Sequence, residues 1–127
     1  MIKTHKDLIV WRKAMDLVIA IYHLTATFPK DEIFGLISQM RRAAVSIPSN
    51  IAEGRSRGGR KDFVQFLRIA HGSAAELETQ LELAQELSLG SKLDYNKARG
   101  LLDEISRMLG SMIAKLKAPP SSLQAPR

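Results

Sequence analysis

The sequence predicts an all-α fold, an antiparallel up-down-up-down four-helix bundle. Along four segments, apolar residues recur at spacings of three and four, as on the buried face of a helix. Short stretches with glycine, proline and polar residues separate these segments. No segment has the two-residue alternation of a half-buried strand. Helices joined by short loops pack antiparallel against their neighbours in sequence, which predicts the up-down order.

The length of 127 residues allows one domain with a single core, but not two domains. We expect the helical domain to occupy residues 1–117 and a flexible proline-rich tail to occupy residues 118–127. The chain contains no cysteine, which fits a reducing compartment. Neither an export signal nor an apolar run of membrane-spanning length is evident. The sequence therefore predicts a soluble, cytoplasmic protein that contacts no membrane.

The first predicted helix begins at about Asp7, as its N-cap, and ends near Thr27 before Pro29. Its apolar residues form two adjacent seams: Leu8, Trp11, Met15, Val18, Tyr22 and Thr25, and Val10, Ala14, Leu17, Ile21, Leu24 and Phe28. The core of a four-helix bundle needs only one such stripe from each helix. We therefore expect part of this broad face to contact another subunit.

The second predicted helix opens at Asp31 or Glu32, where negative charge suits the positive end of the helix dipole. Its apolar stripe is Ile33, Ile37, Met40, Ala44, Ile47 and Ile51. Pro48 removes one helical hydrogen bond, but the stripe continues across it, which favours one kinked helix. A true break at residues 46–49 is the alternative.

A loop is predicted at Gly54–Gly59, followed by a third helix from about Lys61 to Leu87. The seam of this helix is Phe63, Leu67, Ala70, Ala74, Leu77, Leu81, Ala84 and Ser88. Gly72 lies in a run of small residues and indicates either a closely packed neighbour or a loose spot. A fourth helix is predicted from about Tyr95 to Lys117, with Leu101, Leu102, Ile105, Met108, Leu109, Met112 and Leu116 on its buried side.

The strongest functional feature is a basic cluster in and beside the glycine-rich loop: Arg55, Arg57, Arg60, Lys61 and Arg68. The net charge is +6, and all of the excess lies in residues 1–61. Basic residues at a helix N-terminus oppose the dipole, so stability alone does not favour them. Because arginine binds phosphate bidentately, the cluster predicts a salt-dependent site for RNA or DNA. A solvated loop and subunit contacts are the alternatives.

No catalytic or metal-binding motif is evident in the sequence. Glu-x-x-His pairs, nucleophile elbows and Walker loops do not occur, and His5, His23 and His71 lie on different segments. We therefore predict a non-enzymatic protein without cofactor, metal or small-molecule substrate.

Other charged residues in the predicted helices have structural and functional interpretations. The acidic row Glu78, Glu82, Glu86 is either a solvated face or a surface that meets cations of a partner. Arg41 or Arg42 must approach the buried stripe, and we expect an ion pair with Glu53 or Glu76 in preference to a ligand contact.

The segment from Gln39 to Gly54 closely resembles the signature of the 23S rRNA intervening-sequence protein family. The shared positions are Arg41, Arg42, Ser46, Pro48, Asn50, Glu53 and Gly54, and the resemblance extends from about Leu8 to Leu116. It implies a four-helix bundle that assembles as a ring-like homopentamer. It also implies similarity to the accessory proteins of diversity-generating retroelements, which bind nucleic acid. The resemblance assigns no role to the signature residues.

The predicted function is therefore that of a homo-oligomer, by resemblance a pentamer, that binds nucleic acid through its basic surface, with RNA as the expected ligand and DNA as the alternative. A ring would multiply the positive charge of each subunit and strengthen weak phosphate contacts through avidity. The alternative is a scaffold or adaptor that binds a protein partner.

Overall fold

The computed structural model describes residues 3–117, and most of them lie in four α-helices. The helices are α1 (Ile9–Thr25), α2 (Leu36–Ser56), α3 (Arg60–Glu86) and α4 (Lys92–Lys117). Short 3-10 turns at His5–Asp7 and Lys30–Glu32 precede α1 and α2. No strand occurs within residues 3–117, which confirms the all-α prediction for this part of the chain. The predicted tail, residues 118–127, lies outside the described residues.

Each helix packs against the next helix in the chain, and α1 also packs against α4. Over residues 3–117, no Cα atom of α1 lies within 8 Å of one in α3, and none of α2 lies within 8 Å of one in α4. All four helices contribute their apolar stripes to one core, with Leu17, Met40, Leu77 and Ile105 among the fully buried side chains. The four helices therefore surround one shared apolar core.

The two seams of α1 differ in burial. The seam that contains Val10, Leu17 and Ile21 is fully buried in the core. The other seam is only partly covered, since Trp11 and Val18 are half-buried. The structure therefore leaves an apolar strip of α1 open beside the core stripe.

Two predicted helix starts are wrong, because the acidic residues that were expected to open the helices lie in 3-10 turns that precede them. Asp7 does not cap α1. Its carboxylate accepts hydrogen bonds from the backbone amides of Lys3 and Thr4, at 2.8 and 3.1 Å, within the first 3-10 turn. Glu32 lies in the second 3-10 turn, and α2 begins about one turn later, at Leu36, whose backbone amide donates to the Glu32 carboxylate at 3.2 Å.

The prediction that one helix continues through Pro48 is confirmed, since α2 is unbroken from Leu36 to Ser56 and Pro48 is buried inside it. The side chain of Asn50 donates a hydrogen bond to the Ser46 carbonyl at 2.8 Å. The Asn50 side chain thus supplies one extra hydrogen-bond donor close to Pro48, which has no backbone amide hydrogen to donate.

The predicted loop at Gly54–Gly59 is too long, because α2 continues to Ser56 and Gly54 is buried within it. A Cβ atom at Gly54 would lie 2.6 Å from the Cβ of Phe66, so only glycine fits between α2 and α3. Gly58 remains in the connection with a φ of 83°, which favours glycine.

Two further predictions for α3 and α4 need correction. The packing interpretation of Gly72 is wrong within this chain, since a Cβ atom there would meet nothing within 4 Å. The fourth helix begins at Lys92, almost one turn before the predicted Tyr95. Tyr95 is instead buried, and its hydroxyl donates to the Leu89 carbonyl at 2.7 Å in the preceding connection.

A polar side-chain contact crosses each of the four packed helix pairs. The contacts are Arg41 Nε to Thr25 Oγ1 at 2.8 Å, Ser46 Oγ to Ser73 Oγ at 2.8 Å, Arg99 to Gln85 Oε1 at 2.8 Å, and Lys13 Nζ to Glu104 Oε2 at 3.2 Å. Directional contacts of this kind fix how far each helix is shifted along its neighbour, which apolar packing alone specifies less strictly.

Candidate nucleic-acid interface

Three parts of the chain meet at one end of the molecule: the start of α1, the α2–α3 connection and the end of α4. Leu8, Gly58 and Arg60 line a small groove of about 280 Å³ there. A larger groove, of about 700 Å³, lies beside it between the start of α3 and the end of α4. We call this region the basic end, and its cations are Arg55, Arg57, Arg60, Lys61, Arg68 and Lys117.

The larger groove, here the α3–α4 groove, gathers three of the five predicted binding residues. Arg60, Lys61 and Arg68 all line it, although Arg68 lies two turns further along α3 than Lys61. Its lining also includes Val64, Gln65, Ile69, Leu116 and Lys117. Cations from two helices therefore surround apolar side chains in one open groove.

Arg55 lies on the other side of Arg60, in the smaller groove. Its positive charge acts together with the backbone hydrogen bonds from Lys3 and Thr4, which are the main cause, to hold the pKa of Asp7 below its usual value. Asp7 thus stays ionised and contributes negative charge at the edge of the basic end.

Arg57 is separated from these two grooves. Its Nε donates to Glu53 Oε2 at 3.0 Å, one turn earlier on α2. The guanidinium lies over the Phe66 ring, 5.0 Å from the ring centroid. These contacts hold the half-exposed arginine against α3. Of the predicted binding residues, Arg57 is therefore stacked on Phe66, whereas the other four line the two grooves.

The predicted ion pair of Arg41 or Arg42 with Glu53 or Glu76 is wrong for the described residues. Arg41 instead donates through Nε to the hydroxyl of Thr25, and it lies 4.3 Å from the centroid of the Tyr22 ring. The Thr25 hydroxyl in turn donates to the Ile21 carbonyl at 2.7 Å. A buried hydroxyl and an aromatic face thus replace the carboxylate that we expected.

Arg42 is exposed, and it lines two shallow grooves on either side of α2. One groove, of about 400 Å³, also contains Tyr22, Arg41, Val45 and Ser46. Arg42 is far along α2 from the basic end, so the structure does not bring it together with the predicted nucleic-acid residues.

Most of the remaining signature residues hold α2 in place. Ser46 bonds to Ser73 of α3 and accepts a hydrogen bond from Asn50 Nδ2 at 2.9 Å. Pro48 is buried, and Gly54 permits the close contact with Phe66. The signature is therefore largely a seam of packing and hydrogen bonds between α2 and its neighbours.

The opposite end of the helices differs in character. There the α1–α2 and α3–α4 connections meet, since the Ser91 amide donates to Thr27 Oγ1 at 3.1 Å. This end, here the linker end, exposes large apolar side chains: Ile33, Phe34, Leu87 and Leu93. Phe34 is 95% exposed, the most of any large apolar residue described.

The acidic row is solvent-exposed along the second half of α3. Glu82 lies 3.7 Å from Arg99 of α4, and both line a groove with Glu78, Thr79, Leu83 and Glu86. Positive and negative charge therefore occupy the two ends of the same helix.

Within residues 3–117, no group of three or more histidine or acidic residues is arranged to hold a metal ion. In the same part of the chain, no helix has the length and apolarity needed to cross a membrane.

Sequence reasoning missed the contribution of α4 to the basic end. Leu116 and Lys117 lie more than forty positions after Arg68, but they line the same groove. The antiparallel order predicted for adjacent helices could have placed the end of α4 beside the start of α3. Thr25 was also missed as a partner of Arg41, because its hydroxyl lies in an apolar seam.

Together, the fold and the site define a small helical protein with a basic groove at one end. The chain belongs to the 23S rRNA-intervening sequence protein family, whose pattern it matches over residues 6–111. A similar solved structure is that of a protein of unknown function from the S23 ribosomal protein family of Bacteroides thetaiotaomicron VPI-5482. The two are 28% identical with a TM-score of 0.76, over 84% of this chain and 96% of that one. No curated protein matches the chain.

Proposed function

We propose that this protein is a non-enzymatic, cytoplasmic homo-oligomer that binds nucleic acid through its basic end, with RNA as the expected ligand. The observation that carries the proposal is the α3–α4 groove, where Arg60, Lys61 and Arg68 of α3 are joined by Lys117 of α4. Cations that converge from separate elements on one groove can neutralise several phosphates of one strand. The link of the family to intervening sequences of 23S rRNA makes RNA the first polyanion to test.

The arrangement of the helices within each subunit is part of this proposal. The helices pack in the cyclic order α1, α2, α3, α4, and the connections meet at two ends. These features support an antiparallel up-down-up-down four-helix bundle.

We propose further that the subunits form a ring, and the family resemblance makes a pentamer the expected size. The open strip of α1 supports self-association, since Ile19 and Tyr22 are about half exposed. Val45 of α2 is also exposed, close to the groove that contains Tyr22. A ring would present several copies of the basic end to one RNA, and weak contacts would then act together.

The direct test reverses the charge of the basic end. The variant Arg60→Glu/Lys61→Glu/Arg68→Glu should abolish RNA binding and leave helical content and assembly mass unchanged, since all three side chains line the groove and are exposed. Binding is measured by fluorescence anisotropy with a labelled structured RNA and a duplex DNA, across salt from about 50 to 200 mM, where phosphate contacts weaken strongly.

The control variant Lys30→Glu/Lys92→Glu/Lys97→Glu has the same change in net charge, but it places the change near the linker end, on exposed residues. It should retain most of the RNA affinity if the location of the charge matters. Equal loss of binding in both variants would show that only total charge matters, and no binding by the unchanged protein at low salt would refute the proposal.

A second candidate function is that of a scaffold or adaptor for a protein partner. The linker end favours it, since Phe34 and Leu93 are 95% and 81% exposed. Exposed apolar residues of this size are typical anchors of protein interfaces. Such binding would depend little on salt, and Phe34→Ser would abolish it without changing the RNA titration.

A further inference from the structure

The α3–α4 groove combines two kinds of surface that a simple phosphate-binding patch does not need together. Its rim holds the cations Arg60, Lys61, Arg68 and Lys117. Its other lining residues are Val64, Gln65, Ile69 and Leu116, of which three are aliphatic. Phosphates need only the cations, so the apolar part of the groove has no role in a purely electrostatic contact.

The apolar part is accessible from solvent. Ile69 is 46% exposed, although it is a large aliphatic residue on a long helix. Val64 and Leu116 are half-buried, and Leu116 also packs against the core. The groove volume of about 700 Å³ lies within the range of pockets that hold small ligands.

The charge of the lining favours an anionic occupant. Among residues 3–117, no acidic residue lines this groove, and Gln65 is its only neutral polar member. The centres of protein–protein interfaces are depleted of charged residues, whereas a strand of nucleic acid presents phosphates at regular spacing beside flat bases.

From these features we infer that the α3–α4 groove binds unpaired nucleotides of single-stranded RNA. The phosphates contact Arg60, Lys61, Arg68 and Lys117, and the bases lie against Val64, Ile69 and Leu116. In a duplex, the bases are stacked inside the helix and cannot reach this surface. The inference rests on the proposed nucleic-acid function and adds to it a preference for unpaired over paired strands.

The mode resembles that of other single-strand grooves, in which a basic channel follows the backbone and side chains pack on the bases. Aromatic side chains usually supply the packing surface, but none from the described part of the chain lines this groove. Aliphatic side chains and guanidinium planes take that place here, so the expected gain per base lies at the low end of the usual range.

The test compares a labelled U-rich RNA strand of about 12 nucleotides, a length typical of such sites, with a blunt RNA duplex of equal phosphate number. The full-length protein should bind the single strand about fivefold more tightly than the duplex, as expected for weak base packing. Equal affinity for the two RNAs would overturn the inference and leave the proposed function intact, whereas binding to neither would overturn both.

The variant Ile69→Ser separates base packing from phosphate contact. It should lower single-strand affinity about fivefold and leave both the duplex affinity and the salt dependence unchanged. Arg68→Gln should instead weaken the binding of both RNAs and reduce the slope of log affinity against log salt concentration by about one.

Leu83→Ser is the matched control, because Leu83 lies on the same helix and is 48% exposed, close to the 46% of Ile69. It should change neither affinity. If Ile69→Ser weakens the two RNAs equally, or if it lowers the assembly mass in native mass spectrometry, the groove is not a site for unpaired bases. The second of these results would make it a contact between copies of the chain.

Discussion

Two glycines in the helices have opposite structural requirements. Gly54 lies where a Cβ atom would be 2.6 Å from Phe66 Cβ, a distance that no rotamer change can relieve. Gly72 is exposed, with nothing within 4 Å of the equivalent position. The same amino acid therefore serves close packing at one site and only loosens the helix at the other.

We expect Gly54→Ala to lower the free energy of unfolding by about 1–3 kcal/mol, the usual cost of overpacking. Gly72→Ala should raise it by about 0.5–1 kcal/mol, because alanine favours the helix. Urea unfolding followed by circular dichroism measures both changes. Destabilisation by Gly72→Ala would show that a neighbouring subunit covers this site.

The hydrogen bond between Arg41 and Thr25 shows why the partner of a single side chain is hard to predict. The sequence indicated that an arginine beside the buried stripe needs a partner, and it has one. The partner is the hydroxyl of Thr25, which the periodicity of the sequence had assigned to an apolar seam of α1. Periodicity locates faces of helices, but it does not specify which polar group on a neighbouring face lies opposite.

At the scale of the elements, hydrophobic periodicity predicted four helices and the continuous path of α2 through Pro48. The errors lie at the ends of helices. Asp7 accepts from the backbone amide of Lys3 before α1, and Glu32 accepts from that of Leu36, the first residue of α2, from one turn earlier, so the capping chemistry was recognised but the helix starts were misplaced. Gly54 was assigned to a loop because glycine at a helix end and glycine at a close helix contact look alike in one sequence.

The register between α2 and α3 should depend on the contact between Ser46 and Ser73, at 2.8 Å. In a double-mutant cycle with Ser46→Ala and Ser73→Ala, we expect a coupling energy of about 1 kcal/mol, typical of a hydrogen bond. Thermal and urea unfolding of the four proteins give this value. The pair Arg107 and Asp103, which is exposed within α4, provides a comparison and should couple by less than about 0.5 kcal/mol.

At the scale of the whole molecule, the basic end could be predicted only in part. The cations of the glycine-rich loop and of α3 are close in sequence and were found, but Lys117 joins them through the tertiary packing of α4. The sequence also did not predict that Arg57 lies apart from the groove, because this position depends on its ion pair with Glu53 and its stacking on Phe66.

Assembly provides the prediction at this scale. Ile19→Glu together with Val45→Glu places charge on the exposed apolar strip of α1 and α2 and should reduce the native mass from a multiple of 14.1 kDa to that of one chain. Leu93→Glu, at the linker end, is the control and should retain the full mass. Native mass spectrometry distinguishes these results. An unchanged mass in the double variant would place the subunit contact on another surface.

The distribution of charge along α3 has a consequence for conditions of storage and assay. Arg60 and Lys61 lie at the positive end of the helix dipole, where Asp62 offsets them in part, and Glu86 is the last residue at its negative end. Charges of these signs interact unfavourably with the helix dipole and lower stability, and dissolved ions screen this interaction. Added salt should therefore protect this protein against heat while it releases bound RNA, so the conditions that preserve the fold best are those in which the proposed activity is weakest.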